Sequence, residues 1–219
     1  MAFWITHLRI ADAMIKSGLS VPEVPFYVGN VAPDSGVEIA PFRYLPPKDV
    51  THWHRNSPVR LESNLLFAEK YLTGETDAIK RVFYLGYLAH ILTDTFFVDG
   101  LVYPLIDAYT DRWRNQNYTI KGDWINADHV FIKEHSDFRP YRMLCEVDRF
   151  ENVFLDYLPD NTLEDQVHRV AETFRVPQVE PDRPQQFMSL ETIDCFIRDA
   201  ASEIMKIFRE HQFITEMGT

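Results

Sequence analysis

The run from Phe83 to Val98 is almost wholly apolar or aromatic, yet it carries His90 and Asp94 four residues apart. In a helix that spacing puts both side chains on one face, a turn apart. A run this apolar belongs in a core, and a buried carboxylate is costly unless it is paired, protonated or bound to a cation. Imidazole beside carboxylate is a ligand pair for zinc-type ions. The plainer alternative is a His–Asp hydrogen bond inside a core helix. Gly86 lies one turn before His90, where a missing side chain lets another backbone, or a ligand, come close.

The chain has 219 residues, 46% hydrophobic, enough to bury a sizeable core. One helical domain is expected over 1–219, with a metal-site core in 1–135 and C-terminal helices over 148–212. The net charge of −11 repels phosphate backbones, so nucleic acid is not favoured as a partner, and durable adhesion to anionic lipid is disfavoured. Cys145 and Cys195 stand in separate segments and build neither a disulfide framework nor a thiolate zinc site. No secretion signal is visible, and no run of about 18 apolar residues occurs. These features lead to the expectation of a soluble cytoplasmic protein without a transmembrane segment.

Thr6 is expected to cap a helix over His7–Ser17, which places His7 near the helix's positive end and favours its neutral form. Residues 20–50 hold Pro22, Pro25 and Pro33 without periodicity and read as an ordered loop, with a turn at Pro33-Asp34-Ser35-Gly36. His52 and His54 point opposite ways if their segment is extended. Helices are expected over Leu61–Leu72, with Leu65, Leu66, Ala68 and Leu72 inward, and over Glu75–Val98, ending at Asp99-Gly100. A further helix follows Pro104 to Gln116, Lys121-Gly122-Asp123 is a break, and residues 126–146 are helical. Asp148–Leu158 and Thr162–Phe174 read as amphipathic helices, and 176–187 as an extended connector. Ser189 caps a last helix whose stripe is Ile193, Phe196, Ile197, Ala200, Ile204, Ile207 and Phe208. No segment alternates convincingly at period two, so the class is all-α.

His7, Asp34, His52, His90 and Asp94 together supply three imidazoles and two carboxylates without a thiolate. Such a set suits zinc and also iron, manganese or nickel. It exceeds what one tetrahedral zinc needs, and with a bridging carboxylate it suits two ions roughly 3.5–4 Å apart.

The order of these pieces resembles the zinc-dependent phospholipase C family and its relatives, the single-strand-specific zinc nucleases. That pattern runs from an early His to an Asp in a Pro-Asp turn, a His in a Thr-His-aromatic segment, and Gly-x-x-x-His-x-x-x-Asp in a central helix. The chain shows His7, Pro33-Asp34, Thr51-His52-Trp53 and Gly86-x-x-x-His90-x-x-x-Asp94 over residues 4–98. The resemblance implies that His52 rather than His54 is a ligand. It also implies that Asp94 bridges two divalent ions, with His90, His52 and Asp34 on one side and His7 on the other. Secreted members use a mature N-terminal Trp as a ligand; Trp4 is present here with no cleavage signal before it. The family's third-site His is replaced by Gly100, so two ions rather than three are expected, with His129 as a further candidate ligand. His135, His168 and His211 read as surface residues.

The implied activity is a phosphoester hydrolase of the phospholipase C type, using water activated between two metal ions, with zinc the first choice. By the same resemblance Asp34 also serves as a catalytic base. The substrate expected is a small phosphoester or a phospholipid. The alternatives are a nuclease or small-molecule phosphatase on the same scaffold, or a non-catalytic metal-binding helical protein. Arg43 and Arg55 are the cations near these motifs in sequence, and neither is assigned a role. Tyr27, Trp53, Tyr87 and Trp113 are read as core rather than as a substrate cleft. Oligomeric state is not legible.

Overall fold

A computed structural model describes residues 3–40, 43–54, 57, 59–108, 110–183, 185 and 187–214, with side chains outside 106–120. The architecture is all-α with one small hairpin. Helix α1 spans Trp4–Lys16, α2 Glu23–Val31, α3 Lys48–Thr51, α4 Arg60–Tyr71 and α5 Ala78–Phe97. Then come α6 Tyr103–Ala108, α7 Thr110–Glu134, α8 Arg139–Cys145, α9 Thr162–Arg175 and α10 Leu190–Glu210. Between α2 and α3, strands β1 (Val37–Ala40) and β2 (Arg43–Leu45) pair antiparallel, with Val37 opposite Leu45 and Glu38 opposite Tyr44.

Helix α5 is the axis of the fold. Asp77 caps it, accepting from the Ile79 and Lys80 amides, and a π turn over Val98–Val102 carries the chain on into α6. Nearly all of its side chains from Val82 to Thr95 are buried. Helix α2 crosses it almost backbone to backbone: a β-carbon on Gly29 would lie 2.1 Å from the Phe83 carbonyl oxygen. Helices α1, α4 and α10 pack around this pair. Among the described residues, one helical run, Ala78–Leu105, is long and apolar enough to cross a membrane, and 72% of its apolar window is buried inside the protein. The mean hydropathy tolerates His90 and Asp94, which is why counting unbroken apolar residues does not single this run out.

Helix α10 follows its expected pattern: the Ser189 hydroxyl accepts from the Thr192 amide, and Ile193, Ile197, Ala200, Ile204, Ile207 and Phe208 are buried. Several other expectations are corrected. Helix α2 forms despite Pro25, because that proline is its third residue, where the backbone N–H has no intrahelical partner to lose. Helix α1 begins at Trp4 and not at Thr6; the Thr6 hydroxyl donates to Asp128 Oδ1 instead of capping. Helix α4 turns Ser63, Asn64, Phe67 and Ala68 inward and leaves Leu66 exposed.

Helix α7 passes unbroken through Lys121-Gly122-Asp123. A side chain on Gly122 would collide with the Arg183 guanidinium, which pairs with buried Asp123 at 3.1 Å. Residues 148–158 form no helix. There the Asn152 side chain accepts from the Phe154 and Leu155 amides and donates to the Leu155 and Leu158 carbonyls. Such side-chain bonds offer the backbone an alternative to helix.

Candidate metal centre

The cluster forms where α1, the turn after α2, α3 and α5 converge. His90 comes from the middle of α5. Its Nδ1 lies 2.7 Å from the Asn30 carbonyl, one of the last carbonyls of α2, which a helix leaves without an internal partner. That bond places a proton on Nδ1 and leaves Nε2 as a lone pair. His52 follows α3 as its C-cap. Its Nδ1 lies 3.1 Å from the Lys48 carbonyl and 3.0 Å from the Thr51 hydroxyl, so its Nε2 is likewise directed to the centre. The Tyr87 hydroxyl donates to the Thr51 carbonyl and accepts from Tyr157 at 2.9 Å, tying the His52 turn to α5. Trp53, next in the chain, sits in the left-handed region at φ 59.

His7 lies on the inner face of α1. Its ring stacks on that of His90, with centroids 3.7 Å apart and planes 1° from parallel. Two imidazolium rings could not sit so. Burial, then the neighbouring His90, pulls the His7 pKa down to about 4, which leaves it neutral near pH 7.

Asp94 is the hub. Its Oδ1 lies 3.4 Å from His7 Nε2, while its Oδ2 lies 3.3 Å from His52 Nε2 and 3.6 Å from His90 Nε2. Burial pushes this carboxyl up, and the three imidazoles facing it outweigh that and hold it well below the usual carboxylate range. Its two oxygens thus lie near different imidazoles.

Asp34 ends the short 3-10 turn Ala32–Asp34. Its Oδ1 accepts from Lys48 Nζ at 3.0 Å and lies 3.7 Å from His52 Nε2, and its Oδ2 accepts the Trp4 indole N–H at 3.0 Å. Burial opposes ionisation here, and the Lys48 ammonium overrides it, so Asp34 stays well below the usual range.

The donor set can be tested against a metal ion on geometry alone. His7, His52 and His90 are fully buried, and the Nε2 of each has no hydrogen-bond partner among the described residues. A buried polar atom without a partner is costly. Separations of 3.3–3.7 Å between imidazole nitrogen and carboxylate oxygen are long for hydrogen bonds. They do match the edge of a tetrahedron, roughly 3.3 Å, drawn by ligands about 2.0–2.1 Å from zinc. Two groups emerge, His7–His90–Asp94 and Asp34–His52–His90, with ligand atoms inside each lying within 4.8 Å of one another. The residues fit a zinc-type centre.

All five residues singled out in the motifs therefore meet in one place. His129 does not join them. Its Nδ1 accepts the Gln178 amide at 3.3 Å and its ring packs on Phe174, centroids 4.7 Å apart. His135, His168 and His211 are exposed. Tyr27 and Tyr87 are core, Trp53 is half-buried, and Arg55 and the Trp113 side chain lie outside the described residues. His54 is half-buried beside the His52 ring, 5.8 Å between centroids.

Sequence reasoning missed Lys48, the indole of Trp4 and the Asn30 carbonyl. Lys48 carried no sequence signal, because its Nζ pairs with Asp34, fourteen residues earlier and across the hairpin.

Residues 6–97 match the model of a family described as zinc dependent phospholipase C. The matched segment holds His7, Asp34, His52, His90 and Asp94, and it leaves out His129. Neither the curated proteins nor the solved structures hold a match for the chain.

Proposed function

We propose, from the zinc-dependent phospholipase C family match of residues 6–97, that this protein hydrolyses phosphoesters at a centre of two divalent cations. One observation carries the reading. Three buried imidazole Nε2 atoms, without hydrogen-bond partners among the described residues, converge with Asp94, one of whose oxygens lies near His7 and the other near His52 and His90. His52, His90, Asp34 and one oxygen of Asp94 would hold one cation; His7 and the other oxygen of Asp94 would contribute to the second. When bound, such cations make water nucleophilic near neutral pH and neutralise charge on a phosphoryl group.

The chain's own residues do the rest. The Asn30 and Lys48 carbonyls fix the rings of His90 and His52 with Nε2 presented inward. Burial keeps His7 neutral and able to ligate. Lys48 and Trp4 hold Asp34 ionised and fixed in rotation. A carboxylate with a depressed pKa accepts protons reluctantly. Ligation and orientation of water are therefore the roles its surroundings favour, over the general base expected from the motif.

The test is hydrolysis of bis(p-nitrophenyl) phosphate, a short-chain phospholipid and single-stranded DNA by zinc-loaded protein. Turnover of at least one ester, lost in His90→Ala and Asp94→Asn, is expected. Undiminished turnover by folded, metal-stripped protein overturns the reading.

A second reading is a structural metal site without catalysis. It is favoured by the depth of the cluster, since His7, His52 and His90 are 0% exposed and Asp94 only 2%. A large drop in melting temperature with chelator, with no turnover of any ester, would select it.

A further inference from the structure

Beside the centre a groove of about 590 Å³ opens between the β1–β2 hairpin, α3 and α7. Arg43 comes from β2, Lys48 from α3 and Lys121 from α7, so three separate elements each bring a cation to it. Among the described residues Asp49 is the one carboxylate in its lining. That ratio reverses the balance of the chain, which has 22 basic and 33 acidic residues. A local cationic groove on an acidic protein attracts anions that the rest of the surface repels. Ile39 and Leu45 also line it, each 57% exposed, which gives the groove an apolar wall.

Lys48 belongs to both places. Its Nζ lies 3.0 Å from Asp34 of the metal centre and 5.1 Å from the centroid of the Tyr44 ring at the groove. Its side chain is 36% exposed, whereas Asp34 is 9% exposed and Asp94 2%. A group resting in the groove is thus one lysine side chain away from the cluster.

We propose that this groove is the specificity subsite of the centre and selects net-anionic, amphiphilic phosphoesters over zwitterionic ones. The inference deepens the hydrolase reading and rests on it. Arg43 and Lys121 attract the negative group of the ligand, and Ile39 and Leu45 take its apolar part. A cationic headgroup such as choline meets like charge there and is disfavoured.

Binding of two monomeric probes, dihexanoyl phosphatidylglycerol and dihexanoyl phosphatidylcholine, measured by titration calorimetry on zinc-loaded and on chelator-treated, folded protein, tests this. The glycerol lipid is expected to bind about tenfold more tightly in both states, with the preference shrinking at high salt. The double variant Arg43→Glu/Lys121→Glu, with unchanged melting, is expected to abolish or invert that preference. Equal affinities, no binding of either lipid, binding only to vesicles, or a preference that survives the charge reversal would each overturn the proposal. An anionic preference that persists in a protein unable to hydrolyse either lipid would leave the groove standing and remove the hydrolase instead.

Discussion

A β-carbon placed on Gly86 would lie 2.1 Å from the carbonyl oxygen of Phe26 and 3.0 Å from the Asn30 amide nitrogen. Glycine is therefore what lets α2 lie against α5 at the height of the metal centre. The contact has a direct chemical consequence one turn later, because the Asn30 carbonyl it brings in accepts from His90 Nδ1 at 2.7 Å. The Asn30 side chain locks the same crossing by donating to the Gly86 carbonyl at 3.3 Å.

Gly86→Ala is expected to cost about 3 kcal/mol or more, since the obstacle is backbone and cannot turn aside. Thermal melting measures that cost. Zinc affinity should fall along with stability, because any outward shift of α2 frees the His90 ring to rotate. A variant as stable as the parent would show that the two helices can separate without penalty.

Metal removal gives the second prediction. An ion that binds only the folded chain stabilises it by about 4 kcal/mol when free zinc is a thousand times its Kd. Chelator is expected to lower the melting temperature of the parent protein, and to do little to His90→Ala/Asp94→Asn, which removes the imidazole shared by both groups and the carboxylate between them. Equal melting of the parent with zinc and with chelator would remove the metal centre.

How far the chain could be read in advance depended on whether the signal was local. The α10 stripe and its Ser189 cap were legible because both lie within one segment. His90 and Asp94 were legible as a pair for the same reason, and the motif order carried His7, Asp34 and His52 into the same site. Helix α2 is hidden in the sequence because Pro25 breaks a helix interior but fits a first turn, and the aperiodic segment does not mark where the helix starts. Residues 148–158 have helical periodicity, and Asn152 diverts their backbone bonds into a loop. Gly122 was read as a break when its missing side chain instead accommodates Arg183. Lys48 was invisible for a different reason: its partner Asp34 lies across a hairpin, and nothing in either segment announces the pairing.

Lys48→Met removes the ammonium that holds Asp34 ionised while keeping the length of the stem. If the hydrolase reading holds, kcat/KM is expected to fall roughly 10–100-fold, as for loss of a residue that orients a metal ligand. Bound zinc should stay near the parent level, because His7, His52, His90 and Asp94 remain. Steady-state kinetics beside elemental analysis separates this from simple metal loss. A fall in zinc equal to the fall in activity would make Lys48 a structural prop of the site rather than a tuner of Asp34.

The last prediction concerns Asp128, which is buried at the start of α1 and accepts the Ile5 amide at 2.7 Å, the Thr6 amide at 3.1 Å and the Thr6 hydroxyl at 2.6 Å. It anchors the helix turn that presents Trp4 and His7. Burial pushes its carboxyl up to about 7, and the three donors only partly offset that. A carboxyl whose pKa is raised on folding holds its proton more tightly in the folded state. Its contribution to stability is therefore full below the unfolded value of 3.8 and is lost as pH rises through about 7. Asp128→Asn keeps an acceptor and cannot ionise. The variant is expected to be less stable than the parent at pH 5 and to close or reverse that gap by pH 8, by an amount on the order of a few kcal/mol. Asp128→Ala, which strands all three donors, is expected to be destabilised by about 2–4 kcal/mol at either pH. Chemical denaturation at the two pH values measures both, and a gap between parent and Asp128→Asn that stays constant or widens towards pH 8 would show that the carboxyl is ionised throughout.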